Sequence, residues 1–461
     1  RRAPGAARAA CPGARRPEAA GRAGGAPQPA PRMLAAVACV ATLRGSVSAQ
    51  DMAAGYYHKV LLRSDGAAFT AGRNREGQLG DGTSEDRSVP VQVMAGVRQV
   101  AAGHYHTVLL MRDGTVYAAG WNKDGQLGDG TTTDRRRFVK VLISGVRSVA
   151  AGFYHTVFLM ADGSVYATGY NWAGQLGDGT TVFKRRPVRV LAEGAVAVAA
   201  GGWHTVLLRA DGTALAAGWN RAGQLGDGTT FSRSTPTLVK GLAGVQRVSA
   251  GDQHTVFLKA DGTAYTTGYN RDGQLGDGTT RDRLRLVRVP LAHVQQVAAG
   301  GRHTVFLLDN GTVYGTGCNR YGQLGDNSSM EHRSPVRVMI SGVRRLAAGY
   351  LHTDFLRSDG LLYASGYNGH GQLADGTLAD RRAPVRLRWE KPAAGEEPEL
   401  AEGGAGLPAA AVAAGLALLL GLCLAAAALL VLRARSATRW PAACGSWRRG
   451  SSARRPMLPR D

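Results

Sequence analysis

Cysteine is nearly absent from the part of this chain that could fold. Of five cysteines in 461 residues, Cys11, Cys39, Cys423 and Cys444 lie towards the ends and Cys318 stands alone in the body. A lone thiol closes no internal disulfide and cannot supply a Cys-based zinc site. Acidic residues are also short, 34 against 56 Lys and Arg, for a net charge of +22. That excess suits an anionic partner or simply a solvated basic surface. Long apolar runs are missing but for one near the C-terminus, and the body carries no helical apolar period. No Ser/His/Asp set, paired-carboxylate cleft or Cys nucleophile stands out, so the chain is not expected to be an enzyme.

Glycine, in contrast, is abundant: 64 residues, about twice ordinary usage and without a collagen period. It is ordered by a repeat. Gly-Gln-Leu recurs at Gly77, Gly125, Gly174, Gly223, Gly273, Gly322 and Gly371, at spacings of 48, 49, 49, 50, 49 and 49. Each copy reads alike. In the second, an apolar strand (Gln99–Gly103) precedes two variable residues and a histidine. A second strand (His106–Leu110), an Asp-Gly turn, a third strand (Thr115–Ala119), a glycine-rich loop and a fourth strand (Phe138–Leu142) follow. The turn is Asp-Gly or Asn-Gly in every copy, from Asp65-Gly66 to Asp359-Gly360, and such pairs favour a tight hairpin. Four short strands per repeat give one antiparallel sheet with two faces to bury. Radial stacking buries both. The expected fold is all-β, a seven-bladed propeller of four-stranded antiparallel blades over residues 50–388.

The pattern Ala-Ala-Gly-x-x-His-Thr-Val … Asp-Gly … Asn-x-x-Gly-Gln-Leu-Gly-Asp-Gly-Thr resembles the regulator of chromosome condensation repeat over roughly residues 47–388. The resemblance implies the propeller and says little of function. Such propellers serve as exchange factors for a small GTPase, modules of ubiquitin ligases, a plant ultraviolet photoreceptor and plain binding surfaces. The resemblance also implies what to look for. No copy has the spare length for the exchange factor's β-wedge, and no ligase domain is present. The variable pairs are Tyr56-Tyr57, His104-Tyr105, Phe153-Tyr154, Gly202-Trp203, Asp252-Gln253, Gly301-Arg302 and Tyr350-Leu351, without the photoreceptor's tryptophan clusters.

The ends differ from the body. Residues 1–32 read as a disordered Arg/Ala/Pro-rich leader and 33–49 as a signal peptide, with an apolar core at Leu34–Leu43. Residues 389–408 are an acidic linker. Ala409–Leu432 is an uncharged run of 24 residues, long enough for a transmembrane helix. Residues 433–461 form a basic, disordered tail. The arginines after the run place that tail in the cytoplasm and the propeller outside or in a lumen. A single-pass membrane protein is therefore expected. Two sequons, at Asn310 and Asn327, are candidate glycosylation sites.

Candidate residues fall into three sets. His58, His106, His155, His204, His254, His303 and His352 recur at one position. Each belongs to a different blade, so they are read as structural, with the imidazole bonded to backbone near its own blade, and not as ligands of one metal. A basic loop set before the fourth strand includes Arg135, Arg136, Arg137, Lys184, Arg185, Arg186, Arg281, Arg283, Arg285, Arg381 and Arg382. It is a candidate anion-binding rim. Thr after the repeat histidine is replaced by Lys59 in the first copy, and the following Val by Asp354 in the seventh. Two charges in packed strands are expected to form an ion pair where the ring closes. The glycine-rich loops lack the residues of a phosphate loop, and Asn122-Lys123-Asp124-Gly125 and Asn270-Arg271-Asp272-Gly273 lack those of a calcium loop. No cofactor or metal is expected. The expected function is a membrane-anchored scaffold, monomeric, that binds a protein partner, an acidic glycan or an acidic protein through its loop faces, and not nucleic acid. The alternative is a guanine-nucleotide exchange factor or cytosolic adaptor for a small GTPase.

Overall fold

The computed structural model describes residues 49–389, apart from residue 192. The leader, most of the signal peptide, the acidic linker beyond Trp389, Ala409–Leu432 and the basic tail lie outside the described residues. Among the described residues no helix is long and apolar enough to cross a membrane.

The described chain is all-β: seven sheets, each of four antiparallel strands taken in sequence order. The first blade is Ala49–Ala54, His58–Arg63, Ala68–Gly72 and Arg87–Met94. The seventh is Val343–Ala348, His352–Arg357, Leu362–Gly366 and Arg381–Arg386. Each blade is one continuous stretch, so no strand is exchanged where the ring closes. The first and seventh blades meet through side chains and a few backbone bonds.

The second strand of each blade is buried on both faces because neighbours cover both. Alternate side chains point opposite ways. Leu109 packs on Val60 and Leu62 of the first blade, while Val108 and Leu110 pack towards Phe158 of the third. A fully buried Leu, Val or Phe contributes about 1.5–3 kcal/mol, and the ring repeats these contacts at each junction.

One expectation is sharpened and one corrected. The Asp-Gly turn is a three-residue hairpin in which only the glycine has positive φ (+89° at Gly66). Gly66 N donates to Arg63 O and Asp65 Oδ1 accepts from Ala67 N. This is a type I turn closed by a left-handed glycine. The fourth strand also starts earlier than its apolar residues indicate. In the second blade it spans Arg135–Lys140, with Arg135 paired to Gly120. The basic residues read as a loop therefore belong mostly to the outermost strands, whose solvent-facing position tolerates charge; only Arg281 of that set precedes its strand, Arg283–Arg288.

Candidate functional site

His58 pairs with Gly72 across the second and third strands. The turn holding the variable pair and the long glycine-rich loop therefore leave the blade on the same face. This is called the loop face; the Asp-Gly turns are on the other.

Beneath the loop face the repeat histidines do not bond to backbone of their own blade. His58 Nε2 meets Thr107 Oγ1 of the next blade at 3.0 Å, and His106 meets Thr156 likewise at 3.0 Å. The series continues through His155–Thr205, His204–Thr255, His254–Thr304 and His303–Thr353 at 2.8–2.9 Å. Each threonine hydroxyl donates its single proton back to a glutamine carbonyl of the preceding blade, as Thr107 does to Gln78 O at 2.6 Å. The imidazole must then donate through Nε2, which leaves Nδ1 unprotonated. Burial favours this neutral form, pushing His58, His106, His204, His254 and His303 down to about 3 and His155 to about 4. The local reading failed because the partner is a full repeat away.

The seventh junction breaks the series. Lys59 stands where threonine would be, and its Nζ donates to Asp354 Oδ1 and, at 3.4 Å, to Leu373 O. Both charged side chains are 1% exposed. His352 Nε2 is left without a hydrogen bond, 4.0 Å from Asp354 Oδ2. Burial pushes the Asp354 carboxyl up and Lys59 pulls it back. Arg345 with Asp51 at 2.9 Å and His370 with Asp86 at 2.7 Å add to this junction nearer the surface.

The basic rim divides. Arg135, Lys184, Arg283 and Arg381 pair with Asp129, Asp178, Asp277 and Asp375 of their own loops at 2.7–3.2 Å. Those aspartates also accept from asparagine and threonine, as Asp129 does from Asn122 and Thr131. Hydrogen bonds hold their carboxyls below the ordinary value in spite of burial. These four bases therefore lock the loop. Arg136, Arg137, Arg185, Arg186, Arg281, Arg285 and Arg382 are exposed. Asn122 Oδ1 accepts from Leu127 N, so both ends of its amide serve the turn. Asn310 and Asn327 are exposed; Asn310 Oδ1 caps its turn and Asn327 has φ +65°.

Among the described residues one group gathers metal-type donors: Asp272, Cys318 and Glu331, within 4.8 Å of one another. Arg302 lies 3.7 Å from Asp272, and Arg320 bonds Glu331 at 2.9 Å. The arginines supply the positive charge there, and burial pushes the Cys318 thiol up, away from the thiolate that a metal needs.

The loop face is where sevenfold symmetry ends. The first residues of six variable pairs line the axial opening, Tyr56, Phe153, Gly202, Asp252, Gly301 and Tyr350, while His104 stacks between Tyr56 and Tyr105. Tyr56 stacks on Tyr350 at 3.9 Å and on His104 at 3.7 Å, with Phe153 at 5.9 Å. The aromatic arc runs outward through Tyr105, Tyr154, Trp203 and Tyr170. Trp172, 62% exposed, lies 5.7 Å from Trp219 on the same face. Across the axis Gly202, Asp252 and Gly301 leave an open arc with one acid. Gly202 is required there, since a Cβ would fall 2.4 Å from Asp252 Oδ1. Asp252 is 8% exposed, Oδ1 has no hydrogen-bond partner, and burial pushes its carboxyl up to about 6 against the pull of Arg302. The variable pairs were visible in the sequence, but nothing there showed that residues of five blades meet.

The RCC1-like domain model matches residues 19–294 and 192–421. No curated protein matches the chain. Among solved structures, human WBSCR16 aligns at 24% identity with a TM-score of 0.62, over 68% of this chain and 88% of that one. Yeast RCC1 (Prp20) bound to Kap60 aligns at 21% identity with a TM-score of 0.64, over 69% and 83%. Prp20p from Saccharomyces cerevisiae, described with its binding properties to Gsp1p and histones, aligns at 20% identity with a TM-score of 0.63, over 74% and 87%. At these identities the likeness is one of fold.

Proposed function

This chain belongs to the RCC1-like domain family, and we propose that within it the chain is a non-enzymatic recognition module, tethered to a membrane by Ala409–Leu432, that holds a protein partner on its loop face. The observation that carries this is the broken symmetry of that face. The Asp-Gly turns opposite repeat nearly unchanged, whereas the loop face concentrates an aromatic arc on the first four blades and the seventh. Aromatic side chains with a polar edge are the residues that anchor protein interfaces. The exposed arginines of the outer strands, Arg136, Arg137, Arg185 and Arg186 among them, suit an acidic partner or an acidic glycan at the disc's edge. The glutamate-rich linker before the apolar run and the arginines after it support a lumenal or extracellular propeller with a cytoplasmic tail.

Site-specific photocrosslinking tests the face. A benzophenone side chain replacing Trp172, on the loop face, is expected to give a discrete protein adduct in cells; one replacing Asp211, in an opposite turn, is not. Adducts from position 211 alone would overturn the assignment. A second reading, exchange factor or adaptor for a small GTPase, is motivated by the likeness to Prp20p and requires a cytosolic propeller. Protease protection on sealed vesicles, with tags before Glu390 and after Arg460, separates the two: a protected propeller with a cleaved tail supports the tethered module outside the cytosol, and the converse supports the GTPase reading.

A further inference from the structure

A cavity of about 70 Å³ opens on the axis at the loop face. Its wall is the Ala-Gly end of all seven innermost strands, with Tyr56, Phe153, Asp252 and Tyr350 as its larger side chains. The backbone there is already used. Tyr56 N donates to Gly103 O, Gly202 N to Gly251 O, Gly301 N to Gly349 O and Tyr350 N to Gly55 O, at 2.9–3.2 Å. Asp252 N likewise donates to Gly300 O at 3.3 Å. Among the side chains of the wall, Asp252 Oδ1 is the buried polar atom left without a partner. Arg302 in the next blade is turned towards Asp272, at 3.7 Å, and over the Tyr269 ring, at 5.9 Å. The mouth thus combines a desolvated carboxylate oxygen without a hydrogen-bond partner, on which Arg302 acts electrostatically, with the rings of two tyrosines and a phenylalanine.

We infer that this axial mouth is a pocket for a primary alkylammonium group, the end of a lysine side chain presented by the protein partner, with Asp252 Oδ1 as its acceptor and the rings of Tyr56, Tyr350 and Phe153 as its rim. The inference rests on the loop face being the recognition face and names what it reads. An ammonium donates in three directions and needs an acceptor without a proton. A cavity of about 70 Å³ is larger than a single water needs and takes a terminal –CH2–NH3+ without repacking. Gly202 and Gly301 fit the same account. A Cβ at 301 would meet the Tyr350 ring at 2.2 Å and one at 202 would meet Asp252, so each glycine gives a lining side chain its place. The arginines of the outer strands lie on the rim, away from the acid on the axis, and Arg302, the cation that pulls on Asp252, is shared with Asp272.

The test uses the full chain in nanodiscs and two probes of equal length, n-butylammonium and 1-butanol, by saturation-transfer NMR titration. Butylammonium is expected to bind at least tenfold more tightly than butanol, and Asp252→Asn, which keeps the shape, is expected to abolish that preference. Tyr56→Leu, a second variant that leaves the carboxylate in place, is expected to weaken butylammonium several-fold. Equal binding of the two probes to the wild type, or an undiminished preference in Asp252→Asn, would overturn the pocket. The photocrosslink at position 172 keeps the two readings apart. If it persists while the wild type shows no preference for the cation, the loop face stands and the ammonium pocket falls.

Discussion

The closure between the first and seventh blades offers a sharp test of how this ring is held. Lys59 and Asp354 are both 1% exposed and in contact, and no strand crosses the junction. Removing one partner strands a buried charge, which costs about 3–5 kcal/mol. In Asp354→Val the ammonium keeps only Leu373 O, at 3.4 Å. In Lys59→Thr the carboxylate faces His352 at 4.0 Å. The double variant is a different matter. It restores the threonine and valine of the other copies, gives His352 Nε2 the hydroxyl its six counterparts have, and leaves no charge in the seam. Replacing a whole buried pair by groups that pack is neutral or stabilising by about 1–4 kcal/mol. The cycle therefore predicts two singles each destabilised by at least about 3 kcal/mol, a double near wild type or above it, and a coupling of about 6 kcal/mol. Guanidinium unfolding followed by tryptophan fluorescence measures all four proteins. A double variant that loses the sum of the singles, or an Asp354→Val protein as stable as wild type, would refute the argument that the charges act only through each other.

Two further outcomes follow from single junctions and single acids. Thr205→Val leaves the His155 Nε2–H and the Gln175 carbonyl without their shared hydroxyl and is expected to cost about 1–3 kcal/mol, while Thr205→Ser retains most of the stability; equal Tm values for the valine and serine variants would contradict the assigned proton order. Asp252→Asn is expected to stabilise the protein at neutral pH. The folded carboxyl is pushed up to about 6 from 3.8, so the folded state holds its proton more tightly than the unfolded chain. Stability from this group is full below pH 3.8, declines as pH rises to 6, and is lacking above it, a cost of about 3 kcal/mol. The Tm gain of Asp252→Asn should thus be present at pH 7.5 and vanish near pH 3.5; a gain that is flat with pH would sink it.

Much of the fold was legible because the repeat writes it many times over. The spacing of Gly-Gln-Leu, the Asp-Gly turns and the apolar second strands each specify one element per copy. Lys59 and Asp354 stood out for the opposite reason, as charges at positions that the other copies fill with threonine and valine. Three things were hidden, each with a physical cause. The outermost strand begins at residues such as Arg135 because only its inner edge is covered, so no apolar alternation marks its start. The histidine relay crosses from blade to blade, and a single copy cannot show whether Thr107 or local backbone lies above His58. The axial mouth is assembled from Tyr56 to Tyr350, residues that only ring closure makes neighbours.

These causes point to a division of labour within each repeat. The histidine, threonine, asparagine and loop aspartate are committed in nearly every blade to bonds that join it to itself or to the next. Any change there is felt at a junction, and a ring has no spare junction. The two residues before each histidine join the next blade through backbone alone, as Tyr56 N does to Gly103 O, and their side chains point towards the axis or along the loop face. Their side chains make no bond that repeats from copy to copy, and Tyr, His, Phe, Gly and Asp all occupy the first of them. A closed symmetric ring offers few other places where asymmetry is cheap. In this chain that freedom has been used to set a buried carboxylate, costly by itself, opposite an aromatic wall, and a destabilised arrangement of that kind persists where it serves binding rather than folding.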